Sequence, residues 1–179
     1  MNETVLVRNW LEQAVLGLNL CPFAGEPWHA GRVRLTVSTA ASEQVLLEDL
    51  HSELTLLAET DPEVLETTLL IVPNLLHKFS DYNQFLDLAD TLLGEHDWSG
   101  YFQIASFHPD YQFADTKPDD LENLTNRSPF PLLHLLREST MSRAVAEHPD
   151  PAQIPANNIA TLRALSQERL QEVFGSRQG

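Results

Sequence analysis

Three groups of side chains in this sequence could do chemistry. His108 and Asp110 flank Pro109 where an apolar stretch ends, and His77 lies three residues after Asn74 at the end of another. An imidazole that titrates near neutrality beside a carboxylate suits a general base or a metal ligand. The competing reading is a ring that bonds to nearby backbone and fixes a turn. The second group is Asn126-Arg127-Ser128-Pro129-Phe130-Pro131, followed by His134, Arg137 and Glu138. Ser128 before Pro129 reads as a helix start. On a helix, His134, Arg137 and Glu138 would share one face. Arg127 near that N-terminus adds a cation where the backbone dipole already attracts an anion. Arg127 and Arg137, with His134, Asp110 and Asn126, are therefore candidates for binding a phosphate or carboxylate. An intrachain network that holds a loop down is the alternative. The third group is Cys21, at the C-terminal end of a helix, where backbone potential opposes a reactive thiolate. A buried structural thiol is the simpler reading, and a catalytic one needs a cation folded beside it. Arg32 and Arg34 alternate onto one strand face, to cradle an anion or, more simply, to pair with acidic helices.

The elements that must position these residues follow from periodicity. Val7, Trp10, Leu11, Ala14 and Leu18 define an amphipathic helix that Pro22 ends. Cys21 to Gly31 is rich in breakers and reads as a loop. Arg32 to Thr39 alternates as a strand, Ser42 to Glu59 is helical with an acidic outer face, and Thr67 to Val72 is a near-continuous apolar run, as a central strand should be. Phe79 to Leu93 is helical and Tyr101 to Phe107 is a third strand. Helix-length connections predict parallel neighbours, and ligands of such sheets sit at the carboxyl ends of the strands, where His108 lies. Asp110 to Pro131 reads as a long loop kept ordered by Tyr111, Phe113 and Phe130, with a short helix near Asp119 to Leu124. Leu132 to Ala146 reads as a helix, and a last helix, Asn158 to Phe174, follows a proline-rich connector. The expected fold is α/β: a small, mostly parallel sheet of three to four strands flanked by helices, with a long ordered loop and C-terminal helices. It forms one domain over residues 1–179, with its core in about 5–146.

Composition narrows the function. The chain has 179 residues and a net charge of −15, from 11 Lys and Arg against 26 Asp and Glu. No Lys or Arg occurs between Arg34 and Lys78. Such a surface repels nucleic acid and anionic membranes. No segment has the basic start and apolar run of a signal peptide, or the length of a membrane span, so a cytoplasmic location is expected. The single cysteine excludes an internal disulfide and all-cysteine zinc sites. A Gly-rich phosphate loop, a dinucleotide fingerprint, a GxSxG elbow and an HExxH helix are all absent. The sequence thus supports no nucleotide or metal cofactor, although His108, Asp110 and His134 could approach a metal in principle. The segments Asn19-Leu20-Cys21-Pro22-Phe23, Ser106-Phe107-His108-Pro109 and Asn126-Arg127-Ser128-Pro129-Phe130-Pro131 together resemble an uncharacterised bacterial family catalogued as domain of unknown function 1415, from roughly Val5 to Phe174. The resemblance implies a single-domain soluble protein and brings no reaction, cofactor or catalytic residue. The residues themselves suggest a small-molecule enzyme, with His108 as acid/base, Cys21 as a second catalytic candidate and an arginine clamp on an anionic substrate. Two alternatives are a non-catalytic module for an anionic ligand and an interaction protein using its acidic surface.

Overall fold

The computed structural model describes residues 2–175. Four strands form one mixed sheet in the order β1-β2-β4-β3: β1 (Val33–Val37), β2 (Thr67–Ile71), β3 (Phe102–Phe107) and β4 (Leu132–Arg137). β2 is an interior strand and all five of its residues are buried, Thr67 and Thr68 together with the apolar Leu69, Leu70 and Ile71. The sheet is not mostly parallel. β1 pairs with β2 in parallel, but β4 runs antiparallel to both β2 and β3. β1, β2 and β3 nevertheless point the same way, so their carboxyl ends gather at one end of the sheet, where β4 begins.

The segment read as a helix over Leu132 to Ala146 is divided. Its first six residues are β4, and α5 (Glu138–Glu147) follows directly. The cause is burial from both sides. Leu133 and Leu135 face one layer while Leu132 faces the other, so no polar alternation marks the strand. As a result His134, Arg137 and Glu138 do not share a helical face. His134 sits inside the sheet, Arg137 ends the strand, and Glu138 opens α5.

Helices cover both faces of the sheet. On one, α3 (Glu43–Glu59) and α4 (Phe79–Glu95) lay Leu46, Leu50, Leu54, Leu57, Tyr82, Phe85, Ala89 and Leu93 against Leu70, Leu133 and Leu135. Ser42 caps α3 by accepting the Val45 N–H. On the other face lies α1 (Glu3–Trp10), which continues into a π-helical segment, Leu11–Leu16. Leu6, Val7, Trp10, Leu11, Ala14 and Val15 pack there on Leu69, Ile71 and Leu132. Cys21 to Gly31 contains one short helix, α2 (Gly25–His29). The C-terminal helix is broken at Leu165–Ser166 into α6 (Ile154–Ala164) and α7 (Gln167–Phe174), and Val173 of α7 returns to the α1 layer. Both strand arginines meet acids. The Arg34 Nε donates to Glu53 at 2.8 Å, and Arg32 pairs with Glu26 and Glu63. None of the described helices is long and apolar enough to cross a membrane.

Candidate functional site

The long connection from β3 to β4 builds most of the site end, and three side chains hold it in shape. Asn123 is fully buried in the 3₁₀ turn Leu121–Asn126. Its oxygen accepts the Phe113 N–H and the Thr116 hydroxyl, both at 2.9 Å, and its amide donates to the Lys117 carbonyl at 2.7 Å. Arg127 donates through Nε to the Tyr111 carbonyl and through Nη2 to the Pro118 carbonyl, at 3.2 and 2.7 Å. Asn126 ties the loop to the sheet, with its amide on the Ser106 carbonyl and its own carbonyl accepting the His108 N–H.

His108 is at the carboxyl end of β3, where a site was expected, but it is fully enclosed. Its Nδ1 accepts the Asp110 N–H at 2.9 Å, so the ring proton is on Nε2, which donates to the Leu76 carbonyl at 2.9 Å. The rings of Phe79 and Tyr82 lie 5.3 and 5.2 Å from it. Burial holds its pKa below that of an ordinary histidine, against the opposing pull of the Leu76 carbonyl and Asp110. Both ring nitrogens are occupied in fixing the turn. Beside it, the buried Tyr82 hydroxyl accepts the Phe107 N–H at 3.1 Å and donates to the Leu132 carbonyl at 2.6 Å, spanning the gap where β3 and β4 part.

The remaining predicted residues are dispersed. Arg137 lies at the far end of β4, about 17 Å from Leu132 at the rise of a strand. There its Nη2 donates to the carbonyls of Leu57, Thr60 and Leu65, so it closes the end of α3 and the entry to β2. His134 contacts the Thr67 hydroxyl at 2.8 Å, and that hydroxyl donates to the Leu135 carbonyl. His134 Nε2 is therefore the donor of its pair. Burial pushes this imidazole down to about 4. Asp110 is exposed and contributes its backbone. Arg127 and Arg137 are not brought together. Among the described residues no three His, Cys, Asp or Glu side chains group closely enough to hold a metal ion.

The structure does bring Cys21 and Asn126 to one cleft, of about 470 Å³. Val15, Leu20 and Cys21 form one wall, Phe107 the base, the loop residues Phe113, Ala114, Thr116, Glu122, Thr125 and Asn126 a second wall, and Pro155, Asn158 and Ile159 of α6 the third. Asn158 fastens α6 to the Cys21 turn by donating to the Leu20 carbonyl at 2.8 Å. Asn19 in that turn has φ 52°, a left-handed geometry that asparagine tolerates. Cys21 is half-buried. Burial raises its pKa above the ordinary thiol range, and the N–H groups of Phe23 and Ala24 offset part of this. A smaller hollow of about 80 Å³ lies between Trp10, Arg127, Pro129 and Val173, too small for more than a few water molecules.

Glu122, Thr125 and Asn158 escaped the sequence reading. Asn158 carried a faint signal, since asparagine is a poor choice inside a helix unless its amide has a task. A comparison with curated proteins and one with solved structures each returned no match. A family model does match, described as protein of unknown function (DUF1415), over residues 3–172. The match spans the sheet, the loop and every wall of the cleft, and on that coverage the chain belongs to the DUF1415 family.

Proposed function

We propose that this chain binds a small organic molecule in the cleft between Cys21, the β3–β4 loop and α6. The observation that carries the reading is the cleft itself. Its volume of about 470 Å³ falls in the range of small-molecule sites, with apolar walls and a few convergent polar groups. It also lies at the carboxyl end of β3, where Phe107 lines it, and strand carboxyl ends are the usual position for a ligand of an open α/β sheet. The loop wall is held by Asn123 and Arg127, so it is pre-shaped.

An enzyme with a His108 base and an Arg127–Arg137 clamp on an anion draws less support. His108 has both nitrogens bonded, Arg127 holds carbonyls of its own loop, and Arg137 is at the other end of the sheet. A catalytic use of Cys21 is the second reading, favoured by the two N–H groups that face its sulfur at the cleft wall. An interaction role rests only on the acidic outer faces of α3 and α4, which water solvates without a partner.

Because Cys21 is the chain's single cysteine, its alkylation reports on the cleft alone. Compounds that raise Tm in a thermal-shift screen should slow the reaction of Cys21 with iodoacetamide, and Asn158→Ala should weaken both effects. Stabilising compounds that leave the alkylation rate unchanged would remove the cleft as their site.

A further inference from the structure

The groups that line the cleft are unequal in sign. Among the described residues, Glu122 is its one charged side chain, and no Lys, Arg or His lines it. Among the described residues, the Glu122 carboxylate receives no hydrogen bond and no ion pair, and the Asn158 Oδ1 accepts nothing. Asn126 and Asn158 each have an amide hydrogen tied to a backbone carbonyl, Ser106 and Leu20 respectively. What these side chains chiefly offer a ligand is oxygen. Phe107 and Phe113 add aromatic surface, whose negative π faces attract a cation. Arg127, next in sequence to Asn126, turns its guanidinium toward the Tyr111 and Pro118 carbonyls and lines the small hollow instead. The whole chain adds a field of the same sign. With a net charge of −15 it concentrates small cations at its surface and repels anions.

We infer that the cleft selects a small ammonium with an aromatic or alkyl body over the corresponding carboxylate. The ammonium donates to the Glu122 carboxylate and to the free oxygen of Asn158, while its apolar body lies on Phe107, Val15 and Ile159. A carboxylate of the same shape finds acceptors where it needs donors, and it faces Glu122 without a counter-ion. This selection rests on the cleft being the ligand site, as proposed above.

Three probes of matched shape test it on the full chain at fixed pH and ionic strength: benzylammonium, benzyl alcohol and benzoate. Affinity is read by calorimetry and occupancy of the cleft by the alkylation rate of Cys21. Benzylammonium should protect Cys21 and bind about tenfold more tightly than benzoate, the difference one charge-assisted hydrogen bond supplies. Glu122→Gln should remove most of that preference and leave benzyl alcohol unchanged. Benzoate that protects Cys21 as well as benzylammonium does would overturn the charge selection and leave the cleft standing. Failure of all three to protect Cys21 would overturn the cleft as the site, and this inference with it. Benzylammonium that binds without protecting Cys21 is held by the acidic exterior, which also overturns the inference. The wild-type comparison decides the matter even where Glu122→Gln does not fold.

Discussion

Replacing His134 by glutamine should make the fold less sensitive to mild acid. In the native protein this ring is neutral, with Nε2 donating to Thr67 and burial pushing its pKa from 6.5 to about 4. In the unfolded chain it titrates at the ordinary value. Between those two values the unfolded state takes up a proton that the native state refuses. The native state is therefore fully favoured above pH 6.5 and loses ground as the pH falls toward 4, below which the loss levels off. A fall from pH 7 to pH 5 crosses most of this window and corresponds to about 2 kcal/mol by linkage. The residue as a whole keeps some solvent exposure, and solvent screening brings this to about 1–2 kcal/mol. For a chain of this length that is about 4 °C in Tm. Glutamine keeps a donor for the Thr67 hydroxyl and cannot titrate. Urea unfolding of both proteins at pH 7 and pH 5 isolates the effect, since the carboxylates and the other histidines contribute equally to both. Wild type should lose about 1–2 kcal/mol more than His134→Gln over the interval. Equal losses with equal m-values would show that His134 titrates normally, and the account of its burial would then be wrong.

Three further outcomes follow from the same geometry. Tyr82→Phe leaves the Phe107 N–H and the Leu132 carbonyl without their shared hydroxyl and should cost about 2 kcal/mol in urea unfolding. Asn123→Ala strips three partners from the loop interior. Its amide exchange should quicken across residues 110–126 while the sheet amides stay protected, and uniform quickening would mean the loop is not a separate unit. With its thiol pKa raised, Cys21 should react with iodoacetamide more slowly than free cysteine at pH 8, at a rate still rising above pH 9. A plateau below pH 8 would contradict this.

Much of the scaffold was legible because each element announced its surroundings. β2 read as a central strand because it is apolar on both faces, and α3 and α4 because their leucines and aromatics recur with helical spacing. The same two-sided burial concealed β4, since Leu132-Leu133-His134-Leu135-Leu136 carries neither period. Missing β4 turned the sheet parallel on paper and put His134 and Arg137 on a helix. The position of His108 was legible, as strand end followed by proline. Its role was not, because the partner that fixes the ring is Leu76, thirty-two residues away in sequence. The cleft was legible only in part. Cys21 and Asn126 belong to distinctive motifs, but the wall that brings them together is α6, and no local pattern says where a C-terminal helix will dock.

The strand order has a consequence for how the protein is made. On a ribosome β1, α3 and β2 emerge first and can pair at once. The open edge of β2 then waits, because its other neighbour is the last strand in the chain. β3 emerges with no adjacent partner at all. Until Arg137 has been synthesised, two strands present unsatisfied edges, a delay on the order of seconds at ordinary elongation rates. Nascent chains in that state are templates for mispairing with one another. Insertion of β4 between its neighbours closes both edges in one event, so the sheet is completed late and almost all at once. A fragment that stops short of Leu132 is therefore no smaller version of this fold, and shortened forms made for binding studies have to retain β4.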